Sequence, residues 1–137
     1  MSEILAENEV NTDSVENLFR AAFLPVERQS DGDLIVRDES GVRTHIRVEL
    51  DKKIITFFSI WGLKENVDET EKLRFVNGLN DKLLMVRFCM PRTNILWCDY
   101  QFYYVGGLIP YQVIHNYRRF VTICGGAAER DTQGIVE

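Results

Sequence analysis

The sequence contains no catalytic or nucleotide-binding motif. Neither a Walker loop nor a GxGxxG run occurs in its 137 residues, which excludes the phosphate-binding loops that these motifs build. The pair Gly106-Gly107 precedes a predicted helix, but no lysine, serine or threonine follows it closely. We therefore expect this pair to be a simple turn.

Cysteines are few, and their spacing is uninformative for metal binding. The three cysteines are odd in number and include no CxxC pair. This usage predicts free thiols in a reducing compartment, and hence a cytoplasmic protein. We expect no bound metal and no cofactor.

Positively charged residues are fewer than negatively charged ones. Lys and Arg number 16 against 21 Asp and Glu, giving a net charge of -5, so nothing broadly attracts nucleic acid or an anionic membrane. Residues Met1–Asp13 include no Lys or Arg, so no signal peptide is expected. No apolar run approaches the ~20 residues of a membrane span. We expect protein partners, and neither nucleic acid nor membrane.

The composition that is present is typical of one folded domain. Apolar residues make up 45% of the chain and charged residues 27%, which is ordinary for a globular protein. The length also suits a single domain. We expect a flexible acidic lead over 1–11, one domain over 12–126 and a polar tail over 127–137.

In the first half, apolar spacing predicts one helix and three strands. The helix covers Thr12–Phe23 and is stopped by Pro25. A short strand over Leu34–Val36 is followed by Val42–Leu50, whose strict alternation predicts a half-buried strand with a charged outer face. The next strand, Lys53–Trp61, is apolar on both faces, so both faces need cover.

In the second half, apolar spacing predicts two helices and two strands. A helix over Asp68–Leu79 presents an apolar stripe that begins at Leu73. Strands over Leu84–Met90 and Ile95–Val105 predict an antiparallel hairpin. An amphipathic helix, Pro110–Cys124, is expected to stop at the glycine pair that follows it. The order α-β-β-β-α-β-β-α predicts an α+β fold with helices packed on an antiparallel sheet.

Few residues are candidates for a reactive or ion-pairing role. Cys98 and Cys124 lie on predicted core faces, where free cysteine packs as a small hydrophobe. Cys89 lies on the opposite strand face and is the best candidate for an accessible thiol. We expect Asp99 to form a structural ion pair with Arg87 on the neighbouring strand. No catalytic residue is predicted.

The remaining feature is surplus apolar surface. Large apolar side chains on strand faces and on the second helix exceed what a small three-helix domain needs for its core, unless the helices cover them. Such patches mark protein–protein contacts, with Trp and Tyr as frequent anchors. The candidates for a protein-binding or dimer surface are Ile55, Phe57, Trp61, Phe75, Trp97 and Tyr103.

Three stretches carry a family resemblance. Phe75–Asn80 at a helix end, Val105–Pro110 at the Gly-Gly junction and Leu24–Glu27 after the first helix resemble the YbjN family of small bacterial proteins, which are described as sensory transduction regulators. The resemblance covers roughly residues 15–124. The family is similar in fold to type III secretion chaperones, which implies a domain that dimerises and holds an extended partner segment. It implies no catalytic residues.

Together these features predict a non-enzymatic, cytoplasmic regulatory module that forms a homodimer and binds a segment of an unidentified protein partner. The first candidates for one of its two surfaces are the apolar strand face at Ile55, Phe57 and Trp61 and the helix Asp68–Leu79. The outer hairpin face from Trp97 to Tyr103 is a further candidate for partner binding. The alternative is a small-molecule sensor or an enzyme with a pocket near Cys89, Trp97 and Asp99.

Overall fold

The computed structural model describes residues 4–131 and 133–137. Within these ranges the chain forms three α-helices and six β-strands, besides a short 3-10 turn at Glu7–Glu9. The helices are α1 (Thr12–Ala21), α2 (Glu69–Lys82) and α3 (Pro110–Glu129); the strands are β1 (Val26–Arg28), β2 (Leu34–Arg37), β3 (Arg43–Glu49), β4 (Ile54–Gly62), β5 (Arg87–Arg92) and β6 (Ile95–Tyr103).

All six strands join one antiparallel sheet in the order β1-β2-β3-β4-β6-β5. The longest pairing joins β4 and β6, from Ile54 opposite Tyr103 to Gly62 opposite Ile95. The α+β class and the predicted element order are therefore confirmed. The structure adds β1, which at three residues is too short for alternation to reveal it.

The hydrophobic core lies between one face of the sheet and the helices. Phe57 of β4 is fully buried at its centre. Its ring centroid lies 6.2 Å from that of Phe19 in α1 and 6.1 Å from that of Phe120 in α3. Val76 and Leu79 of α2 belong to the same cluster, so all three helices contribute to one core.

The last helix continues past its predicted stop. α3 runs through Gly125 and Gly126 to Glu129, although each glycine in a helix costs about 1 kcal/mol relative to alanine. Ala127, immediately after the pair, is buried in the core. Packing of this final turn offsets the cost, so the prediction that the glycine pair ends the helix was wrong.

The apolar stripe of α2 is rotated from its predicted position. Leu73 is 49% exposed, whereas Lys72 is fully buried and donates from Nζ to Asn94 Oδ1 at 2.9 Å. The buried stripe is therefore Lys72, Val76 and Leu79. The aliphatic stem of the lysine fills a core position, which hydrophobicity alone does not indicate.

The hairpin strand begins later than its alternation predicts. Val86 N–H donates to the Leu84 carbonyl oxygen at 2.8 Å, which closes a tight turn. Met85 within this turn has a φ of 69°, outside the strand region. β5 therefore starts at Arg87.

Residues near both termini contact the domain. Leu5 and Leu108 exchange two backbone hydrogen bonds of 2.7 and 2.8 Å, and a Cβ on Gly107 would lie 2.5 Å from the Leu5 carbonyl oxygen. At the other end, Lys64 N–H donates to the Ile135 carbonyl oxygen at 2.9 Å. The described parts of the predicted lead and tail thus pack against the fold; residues 1–3 and 132 lie outside the described residues.

Candidate functional site

The sheet face opposite the helices is the candidate site. β2 and β3 present Ile35, Arg37, Arg43, His45, Arg47 and Glu49 on this side, while β4, β5 and β6 present Ile54, Thr56, Phe58, Ile60, Arg87, Cys89, Trp97, Asp99, Gln101 and Tyr103. We call this set the open face. Buried residues on it, such as Ile35 and Phe58, do not belong to the core cluster that includes the helices. Ile60 is 51% exposed and Tyr103 is 72% exposed.

A stack of three rings runs across the middle of the open face. The ring centroids of His45 and Phe58 are 4.8 Å apart with a 13° interplanar angle, and those of Phe58 and Trp97 are 4.5 Å apart with an 11° angle. Arg47 lies over Phe58, with 5.0 Å from its guanidinium carbon to the ring centroid. Neighbouring side chains, not a helix, therefore leave Phe58 only 4% exposed.

The histidine in this stack is held neutral. Burial lowers the pKa of His45 below its usual 6.5, and the positive charge of Arg43 lowers it further. At neutral pH the imidazole therefore stacks on Phe58 as an uncharged ring.

Asp99 fixes two of its neighbours on the open face. Its carboxylate accepts from Arg87 at 3.0 Å from Nε and 2.6 Å from Nη2, and from Trp97 Nε1 at 2.8 Å. The predicted Arg87–Asp99 ion pair is confirmed, and the hydrogen bond to this carboxylate raises the pKa of Arg87. Because the indole is held by the same carboxylate, Trp97 has a fixed orientation.

A groove of about 620 Å³ crosses the open face beside this network. Its lining includes Thr56, Ile60, Cys89, Trp97 and Gln101. Cys89, Trp97 and Asp99, predicted from the sequence as a possible ligand pocket, all line it. Burial raises the pKa of the Cys89 thiol, so the thiol is protonated at neutral pH and a weak nucleophile.

One end of the open face is basic. Arg37 and Arg43 lie directly opposite each other on β2 and β3, an arrangement that is destabilising for like charges. Neither forms an ion pair with any described residue. Both side chains are exposed and can bind a carboxylate from outside the domain.

The six predicted surface residues separate into two groups. Ile55 and Phe57 are fully buried in the core, and Trp61 and Phe75 are half-buried against it. Ile55 and Phe57 can meet no partner while the helices are in place. Trp97 and Tyr103 alone lie on the open face.

The open-face residues Phe58 and Ile60 were missed because both faces of β4 are apolar. The signal that identifies them lies on β3, where charged residues mark the outer face. His45 pairs with Phe58, so the charged face of β3 continues into the Phe58 face of β4. Cross-strand register therefore assigns the faces where alternation within one strand does not.

Two other kinds of site find no support in the part of the chain that the structure describes. No group of three or more His, Cys, Asp or Glu side chains is placed to hold a metal ion. No helix there is both long and apolar enough to cross a bilayer. Cys98 and Cys124 are buried, as predicted.

Solved structures define the class of this fold. The chain is similar to a protein in the HopA1-SchA chaperone-effector complex, with a TM-score of 0.60 and 6% identity over 88% of this chain and 98% of that one. It is also similar to the Yersinia pestis type III secretion chaperone SycH, solved with a fragment of YscM2, with a TM-score of 0.55 and 12% identity over 88% and 100%. The protein therefore has a type III secretion chaperone-like fold.

The sequence assigns the chain to a family within this fold class. The family model YbjN, "Putative bacterial sensory transduction regulator", matches residues 11–130, and the chain belongs to this family. Its fold is similar to that of E. coli YbjN, described as "a putative transcription regulator", with a TM-score of 0.77 and 11% identity over 93% of this chain and 96% of that one. No curated protein matches the sequence significantly.

Proposed function

We propose that this protein is a non-enzymatic, cytoplasmic regulatory module that forms a homodimer and holds an extended segment of a partner protein on its open face. The observation that carries the proposal is the open face itself, a fixed aromatic and apolar surface that does not belong to the core. The chaperone-like neighbours solved in complex with protein partners support this proposal.

The shape of the open face favours a chain segment over a small ligand. Small-molecule sites are usually concave and bury most of the ligand, whereas this groove is flanked by the exposed side chains of Ile60 and Arg92. Trp97 is oriented in advance by Asp99, which lowers the entropic cost of binding. An extended segment can cover the groove and continue across neighbouring strands.

The charge of the open face indicates the composition of the segment. Arg37 and Arg43 form the basic end, and Ile60 and Trp97 supply apolar contacts. A segment with carboxylates followed by apolar side chains matches both parts. Carboxylate binding would also relieve the repulsion between the two arginines.

Replacing Ile60 with aspartate tests this proposal. We expect Ile60→Asp to abolish partner capture, since it removes an apolar contact and repels an acidic segment. Arg43 on the adjacent strand can pair with the new carboxylate, so the fold should persist. The measurement is a pull-down from a bacterial lysate with quantitative mass spectrometry.

The matched control is Leu73→Asp, on α2. Leu73 is as exposed as Ile60 but lies away from the open face. Partners retained by Leu73→Asp and lost by Ile60→Asp would support the proposal. Equal capture by wild type and Ile60→Asp would place the partner elsewhere on the molecule.

A sensor or enzyme with a pocket near Cys89, Trp97 and Asp99 is the second candidate, because these residues line one groove. Two observations weaken it. The Asp99 carboxylate already accepts three hydrogen bonds, and burial raises the pKa of Cys89.

Thiol reactivity separates the two candidates. We expect Cys89 to react slowly with an aromatic disulfide reagent at pH 7 and faster as the pH rises, since only the thiolate reacts. The native protein should show at most this one accessible thiol, because Cys98 and Cys124 are buried, and Cys89→Ser should remove it. Rapid reaction of Cys89 at pH 7 would favour the catalytic candidate.

A further inference from the structure

The end of α1 holds an aromatic side chain in an unusual backbone conformation. Phe23 N–H donates to the Arg20 carbonyl oxygen at 3.0 Å, and Leu24 N–H donates to that of Phe19 at 3.2 Å. These two bonds form a Schellman motif, whose left-handed position is normally glycine. Phe23 occupies that position with a φ of 62°.

The ring of Phe23 contributes nothing to the core. It is 94% exposed, while the next residue, Leu24, is buried. A phenylalanine at this position both strains the backbone and exposes a large apolar ring to water. No contact within the described residues covers the ring.

A groove that suits such a ring lies beside it. Its volume is about 490 Å³, and it runs between α1 and the start of α3. Its apolar lining is formed by Leu5, Leu18, Ala21, Ala22, Tyr111 and Ile114, and none of its lining residues is acidic or basic.

The uncharged lining of this groove and the ring that protrudes beside it suit a second copy of the same chain. Two copies of a chain with a net charge of -5 repel each other across most surfaces, so an uncharged patch such as this one is where two copies meet with the least repulsion. A strongly charged protein partner would meet no residue of opposite charge in this groove. In a two-fold interface the same patch serves both subunits, and this patch contains both a protruding ring and a groove.

We propose that the protein forms a two-fold dimer in which Phe23 of each protomer inserts into the α1–α3 groove of the other. Exposed Ile4, Ile109 and Tyr111 extend the apolar contact beside the groove. This assignment rests on the homodimer of the proposed function and names its surface. Because the groove is built by helices, the dimer leaves the open face of the sheet free for the partner segment.

The test compares three variants with wild type by light scattering and sedimentation over a concentration series. Phe23→Gly removes the ring and fits the left-handed backbone, and Ala21→Glu puts a carboxylate into the groove at an exposed helix position. Each should raise the dimer dissociation constant about tenfold or more, as loss of an interface hot spot does. Ala128→Glu, the same change near the end of α3, should leave it unaltered.

Thermal unfolding at concentrations where wild type is monomeric verifies that the variants fold. Phe23→Gly should melt at or above the wild-type temperature, since it relieves strain. A dimer that survives both Phe23→Gly and Ala21→Glu would overturn the interface but keep the homodimer. A wild-type protein that remains monomeric at tens of micromolar would overturn both.

Discussion

Replacing Phe57 with alanine is expected to lower the free energy of unfolding by about 3–5 kcal/mol, as for other large aromatic residues in packed cores. The Phe57 ring is fully buried and makes edge-to-face contacts with Phe19 and Phe102 at centroid distances of 6.2 and 5.3 Å. Helices on one side and strands on the other hold the walls of the resulting cavity apart. Urea denaturation at low protein concentration measures the change.

Phe58→Ala is the matched control on the opposite face of the same strand. Its cost should be smaller, since His45 and Arg47 lie on a face without helices and can rearrange around the gap. Partner capture by the folded fraction should nevertheless fall in Phe58→Ala, because Trp97 loses its stacking surface, and should persist in Phe57→Ala. A cost below about 1 kcal/mol for Phe57→Ala would be too small for the core role assigned to this ring.

This contrast shows what periodicity predicts and what it misses. Alternation and helical spacing are local, and they correctly predicted three helices, five strands and their order. They could not decide which face of β4 meets the helices, because both faces are apolar. That choice depends on the pairing of His45 with Phe58, a contact between two strands that the pattern within either strand alone does not specify.

The two glycine pairs make the same point. Both are predicted to interrupt regular structure, but only Gly106 and Gly107 have positive φ values, of 86° and 112°. Gly107 also lies against the Leu5 backbone, a contact made by the distant N-terminal segment. Gly125 and Gly126 remain helical within α3, because the burial of Ala127 stabilises the final turn. Tertiary packing, which the local sequence does not specify, decides each case.

Asn80 connects the family resemblance to a specific contact. Its side-chain Nδ2 donates to the Phe88 carbonyl oxygen at 2.7 Å, and its Oδ1 accepts from Phe88 N–H at 2.9 Å. Phe88 lies on β5, the last strand in the sheet. The amide supplies both the donor and the acceptor that a further strand would provide, so α2 is joined to the edge of the sheet.

Asn80→Ala should therefore cost about 2 kcal/mol of unfolding free energy, because it leaves one backbone donor and one acceptor of a buried residue unpaired. Asn80→Asp keeps an acceptor for Phe88 N–H but places a carboxylate beside the Phe88 carbonyl oxygen, so it should not restore stability. Asn77→Ala changes an exposed asparagine of the same helix and should cost little. Helix propensity alone favours alanine over asparagine in both variants, so a loss in Asn80→Ala cannot come from propensity. If Asn77→Ala were as destabilising as Asn80→Ala in urea denaturation, the contact with β5 would not explain the loss. Faster amide hydrogen exchange at Phe88 in Asn80→Ala alone would assign the effect to this edge.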